Sequence, residues 1–132
     1  MDATRVALVA TLAFTGMADA AEQTRCGWFS NATPAEQWLW DADSLWYLST
    51  QSGWIVPGFA ELPERSQEFG EDWVSVDGNA HYGRYGHGCA CVTGDFDVDA
   101  GTVSRVDAME PLSLRQCRTD PALPREPMGP KG

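Results

Sequence analysis

Four cysteines constrain this chain more than any other feature: Cys26, Cys89, Cys91 and Cys117, spread over 132 residues. An even count in an exported domain reads as two disulfides, and four cysteines allow three pairings. In an extended strand Cys89 and Cys91 project to the same face with Cα atoms ~7 Å apart, at or beyond the bridging limit. The pairing that joins them is therefore disfavoured. The other two pairings both staple a central strand to the two ends of the domain, and both stay open. Each loop so closed adds about 3–5 kcal/mol in the chain-entropy description. His87-Gly-Cys-Ala-Cys91 also sets three zinc-ligand types on one strand face. Zinc sites more often leave two residues between cysteines, so neither a metal nor a cofactor is expected.

The start of the chain supports the oxidising compartment. Arg5 precedes an apolar run over residues 6–14, and Ala18-Asp-Ala20 fits the small-x-small cleavage rule. The run is shorter than the ~20 apolar residues of a membrane span. Residues 1–20 are expected to be a signal peptide, residues 21–118 one disulfide-stabilised β domain, and residues 119–132 a disordered proline-rich tail carrying Pro121, Pro124, Pro127 and Pro130. Removing Asp2, Asp19 and Arg5 with the signal changes the formal charge from −10 to −9. Such a surface suits a basic partner and not nucleic acid. No second apolar run suggests a membrane span, and a monomer is expected.

Between the cysteines the pattern is all-β. Trp38-Leu-Trp40 and Leu45-Trp-Tyr-Leu48 flank a short polar turn and read as a hairpin. Residues 54–56 and 73–76 read as short strands, and residues 62–72 as a polar surface loop. Residues 88–98 form a long strand with Ala90, Val92 and Phe96 on one face and Gly94 marking a bulge. Residues 102–109 return, with alternation too poor to set a register. The expected architecture is five to six short antiparallel strands in a small barrel or sandwich, with a glycine-rich loop at residues 76–88.

Arg25-Cys-Gly-Trp28, Asn31-x-Thr-Pro34, the tryptophan hairpin with Asp41 and Trp46, and Tyr85-Gly-His-Gly-Cys-Ala-Cys91 together resemble a family of small exported bacterial proteins, domain of unknown function 4087. The resemblance extends to Cys117 and covers nearly all of the domain. It implies export and a compact disulfide-bonded fold, and no activity. The family's glycine segment usually reads Tyr-Gly-Tyr-Gly-Cys-Ala-Cys. Here His87 stands in place of that aromatic, which argues against a required catalytic histidine.

No nucleophile motif such as Gly-x-Ser-x-Gly is present, and no catalytic residue is assigned. The leading expectation is an exported acidic binding protein that inhibits or sequesters a basic envelope-active protein. Its contacts would come from the loop, through Asp77, Tyr82, Arg84, Tyr85 and His87, with Trp46 nearby. The alternative is a glycan-binding module, for peptidoglycan above all, using exposed Trp and Tyr. A small hydrolase using His81 and His87 comes third. Clustered exposed acids favour the first, an aromatic strip the second, and histidines converging in a cleft the third.

Overall fold

A computed structural model of the protein describes residues 21–76 and 85–127. The expected signal peptide, and Asp77, His81, Tyr82 and Arg84 of the glycine-rich loop, lie outside the described residues. The chain runs β1 (Ala21–Thr33), β2 (Glu36–Trp40), β3 (Leu45–Ser49), three 3-10 turns (Phe59–Glu61, Glu64–Gln67, Gly70–Asp72), β4 (Val74–Ser75), β5 (Gly86–Asp97), β6 (Thr102–Leu112) and α1 (Leu114–Arg118). All six strands belong to one antiparallel sheet in the order β3-β2-β1-β5, with β4 and β6 both paired to β5. The sheet curls into a half-barrel, the barrel-like form of the expected architecture.

The strands form where the sequence alternates and stop where side chains cap the turns. In the β2–β3 hairpin the Asp41 carboxylate accepts from the backbone N–H groups of Asp43 and Ser44, an Asx-type closure. At the β5–β6 tip Asp97 accepts from the Ala100 N–H, and Gly101 takes the left-handed conformation at φ 69°, which glycine adopts without a Cβ clash.

The register slips between Thr93 and Gly94, at the expected bulge. A Cβ on Gly94 would run into the Arg105 carbonyl. A second slip follows between Asp95 and Phe96. These two slips explain the poor alternation of β6, which buries Val103, Val106 and Met109 at every third residue.

The concave face holds the main core: Phe29, Leu39, Trp46, Leu48, Ala90, Val92 and Phe96 from the sheet, with Val56, Phe59 and Phe69 from the connection beyond β3. That connection differs from the expected polar loop. Its 3-10 turns and the residues between them bury Phe59, Ser66 and Phe69, because an open half-barrel needs a plug along its uncovered side. The expected strand at residues 54–56 reduces to one bridge, Ser49 to Ile55. β1 starts earlier than expected: residues 21–24 pair with β5 from Phe96 to Thr93, since ladder bonds hold even polar residues in register.

The convex face carries a second, smaller cluster of Trp28, Cys89, Leu114 and Cys117, with Val74, Leu112 and Leu123 packed against it. Its cover includes residues expected to be a free tail. Residues 119–127 instead lie on the domain, where Trp28 Nε1 donates to the Pro124 carbonyl at 3.0 Å and Arg118 binds Glu126. Leu123 and Glu126 supply the apolar and ionic anchors that the proline-rich composition obscured. Residues 128–132 lie outside the described residues.

Both disulfides are present, Cys26–Cys91 and Cys89–Cys117. Cys26 and Cys91 are direct cross-strand partners in the β1–β5 ladder, and this register selects between the two pairings left open by sequence.

Candidate functional site

Of the residues expected to make contacts, Tyr85, His87 and Trp46 are described, and two of them are not on the surface. Trp46 is fully buried, its ring edge-on to Phe96 at 5.0 Å. His87 is 2% exposed and edge-on to Trp28 at 5.6 Å. Both belong to packing, for a simple reason: each lies on a strand whose period directs its ring into a cluster. Tyr85 is half-buried, and its carbonyl accepts from the Val76 N–H where the loop rejoins the sheet. All four cysteines are disulfide-bonded, so Cys89 and Cys91 offer no thiolate to a metal.

Sequence reasoning missed Arg25. Its guanidinium lies over the Trp46 ring at 4.9 Å and the Phe96 ring at 5.6 Å. Nη1 donates to Asp41 and to Asp43, each at 2.9 Å, and Nε donates to Gln23. Burial pushes the Asp41 carboxyl up, but the Arg25 bond and the Ser44 and Asp43 N–H groups outweigh it and hold the carboxyl below its ordinary value. The cluster closes one end of the core and engages Nη1 and Nε of Arg25 within the fold. Arg25 lies far in sequence from Trp46 and Phe96, so no local pattern marks the cation–π plug.

The acid-rich turn at the β5–β6 tip is likewise occupied. Arg105 bridges Asp95 and Asp107, and Asp97 caps its own turn.

Two surfaces among the described residues bear on binding. The first is a groove of about 400 Å³ lined by Gln37, Ile55, Phe59, Leu62, Pro63 and Glu64. Phe59, Leu62, Pro63 and Glu64 belong to residues 59–72, a segment that carries five acids, Glu61, Glu64, Glu68, Glu71 and Asp72, against one base, Arg65. Glu61, Glu64, Glu68 and Glu71 are exposed, and none forms an ion pair among the described residues. Gln37 donates through Nε2 to Ser49, while its Oε1 is buried with no donor among the described residues.

The second surface is the convex side of the β2–β3 hairpin. Leu39, Trp46 and Leu48 fill the core from one side, so Trp38, Trp40 and Tyr47 face the other. Trp38 pairs across the strands with Tyr47. Trp40 is 37% and Tyr47 43% exposed, and Trp38 meets Trp40 edge-on at 5.9 Å.

The family described as protein of unknown function DUF4087 matches this chain over residues 20–124, and the chain belongs to that family. No curated protein matches the chain. No solved structure matches it.

Proposed function

We propose that the protein is an exported binding protein that captures a basic macromolecule at the acid-rimmed groove beside the 3-10 turns. Two disulfides in a small domain are typical of exported proteins. Among the described residues no helix is long and apolar enough to cross a membrane. The carrying observation is an apolar groove with Glu64 in its lining, on a segment whose Glu61, Glu64, Glu68 and Glu71 are all exposed and form no ion pair among the described residues. Acids bound to nearby arginines add little field. These four are free to attract a cation at range, and the low-dielectric wall focuses that attraction. Ile55, Phe59 and Leu62 would take the apolar stem of an incoming Lys or Arg, whose head stays at the acidic rim. The buried Gln37 acceptor would gain a donor. The proposed contact site is thus this groove and not the glycine-rich loop.

Surface plasmon resonance against basic envelope-active hydrolases, with lysozyme as the first probe, tests this. Association should slow about tenfold or more between low and high salt, and the triple variant E61K/E64K/E68K should lose binding with an unchanged melting temperature. A salt-independent on-rate, or equal binding by the variant, would overturn it.

The exposed Trp40 and Tyr47, beside the half-buried Trp38, favour glycan binding as a second function. Sugar rings stack on exposed aromatic faces, and β2–β3 holds these three on one rigid surface. Titration with soluble peptidoglycan fragments should shift tryptophan fluorescence in the wild type and not in W40A/Y47A. An unchanged spectrum at millimolar ligand would rule this out.

A further inference from the structure

Residues 119–127 are held as a ligand is held. Among the described residues, positions 124–127 make no backbone–backbone hydrogen bond to the sheet. Their attachment is by side chains that read two features. The Trp28 indole N–H donates to the Pro124 carbonyl at 3.0 Å. The Glu126 carboxylate accepts from Arg118 Nε at 2.7 Å and Nη2 at 3.0 Å, and from His87 Nε2 at 2.8 Å. An ionised carboxylate only accepts, so the histidine proton on Nε2 is fixed by its partner. Leu123 adds an apolar contact to the convex cluster.

The reading heads are buried in the domain: Trp28 is 1% exposed and the His87 side chain 3%. The only acceptor that either N–H meets among the described residues is an atom of residues 124–126. Without an occupant, both donors would lose their protein acceptor and depend on water to replace it. On a chain of formal charge −10, this seat is locally cationic through Arg118. It is not fully filled either, since a cavity of about 220 Å³ lies between Trp28, Arg118, Leu123 and Glu126.

We propose that this convex seat is a peptide-binding site which the C-terminal segment occupies in cis, and that it takes an extended partner segment bearing a proline with an acidic residue two positions later. Trp28 reads the proline carbonyl, and Arg118 with His87 reads the carboxylate. Proline suits the site because it holds the chain extended and leaves its carbonyl as the only backbone group to be satisfied. The segment turns into the seat at Asp120, where the Ala122 N–H donates to the Asp120 carboxylate, so release needs rotation only around residues 119–120. Tethering gives the cis segment a millimolar effective concentration. A partner must exceed that, or meet a chain whose own segment has been weakened.

The test uses the full mature chain and a fluorescein-labelled peptide with the sequence of residues 121–128. By fluorescence anisotropy the peptide should bind the E126Q chain at least tenfold tighter than wild type, because the cis competitor is weakened. The same peptide with Gln at its acidic position should bind the E126Q chain at least tenfold more weakly. Hydrogen exchange of the Trp28 indole N–H in the wild-type chain provides a second measurement that needs no variant. It should exchange faster than the β1 and β5 amides, through local opening of residues 119–127. Absence of peptide binding to both chains, indifference to the peptide's acid, or indole exchange only on global unfolding would each make the segment a structural strap and overturn the proposal.

Discussion

Replacing Asp41 by Ala is expected to lower stability by about 3–5 kcal/mol, the cost of removing one partner from a buried ion pair. Asp41 is 5% exposed and its Arg25 partner 12%. The carboxylate ties the β2–β3 turn through the Asp43 and Ser44 N–H groups, and holds Arg25 against the Trp46 and Phe96 rings. Its loss leaves three donors seeking partners and an arginine over the end of the core. Asp43, 57% exposed, cannot replace it, because water competes for the exposed pair. Urea denaturation followed by tryptophan fluorescence measures the loss. A change below about 1 kcal/mol would show that Asp43 alone suffices.

The same pair sets the acid limit of the fold. Asp41 and Glu126 both have folded pKa values held below their ordinary ones, Glu126 by the Arg118 bond with help from His87 against partial burial. A depressed carboxyl contributes stability that is fully present above its unfolded pKa, about 4, and lost as pH falls through the folded value. The wild-type midpoint should therefore fall below about pH 4, and D41A should flatten that fall.

The hairpins, the long central strand and its bulge at Gly94 were legible because local rules write them: alternation, turn chemistry and a glycine within a strand. The half-barrel's lateral plug was not. Phe59, Ser66 and Phe69 are spaced among acids, and only the tertiary need to cover Val56 and Ala90 draws them inside. The fate of His87 was hidden for a related reason. Its neighbours Gly86 and Gly88 suggest a loop, yet in the ladder it sits opposite Ser30 and turns its ring onto Trp28. The groove was legible in composition but not in place: five carboxylates in residues 59–72 are visible in the sequence, while the apposition of Glu64 to Ile55 and Gln37 depends on the bridge from Ser49 to Ile55.

Removing either disulfide by paired alanine substitution is expected to cost about as much as losing Asp41, and the two should differ in what else they disturb. With sequence separations of 65 for Cys26–Cys91 and 28 for Cys89–Cys117, the chain-entropy description assigns about 4.3 and about 3.6 kcal/mol. The first bond joins residues that the β1–β5 ladder already holds opposite each other, so its loss in C26A/C91A acts mainly on the unfolded chain. The second ties α1 to the centre of β5 beneath Trp28, within the convex cluster. C89A/C117A removes that packing as well, so it should match or exceed the first variant's loss despite the shorter loop. It should also release residues 119–127, seen as faster exchange of the Trp28 indole N–H. Exposure makes the order of reduction a further readout. Cys26 is exposed and Cys91 half-buried, whereas Cys89 and Cys117 are 1% and 4% exposed. A thiolate must reach a sulfur in line to attack it, so limited dithiothreitol should open Cys26–Cys91 first. Peptide mapping after alkylation at partial reduction checks this. Labelling of Cys89 and Cys117 ahead of Cys26 would mean that α1 opens more readily than the ladder, and that the convex cluster, not the β1–β5 pair, is the weaker part of the fold.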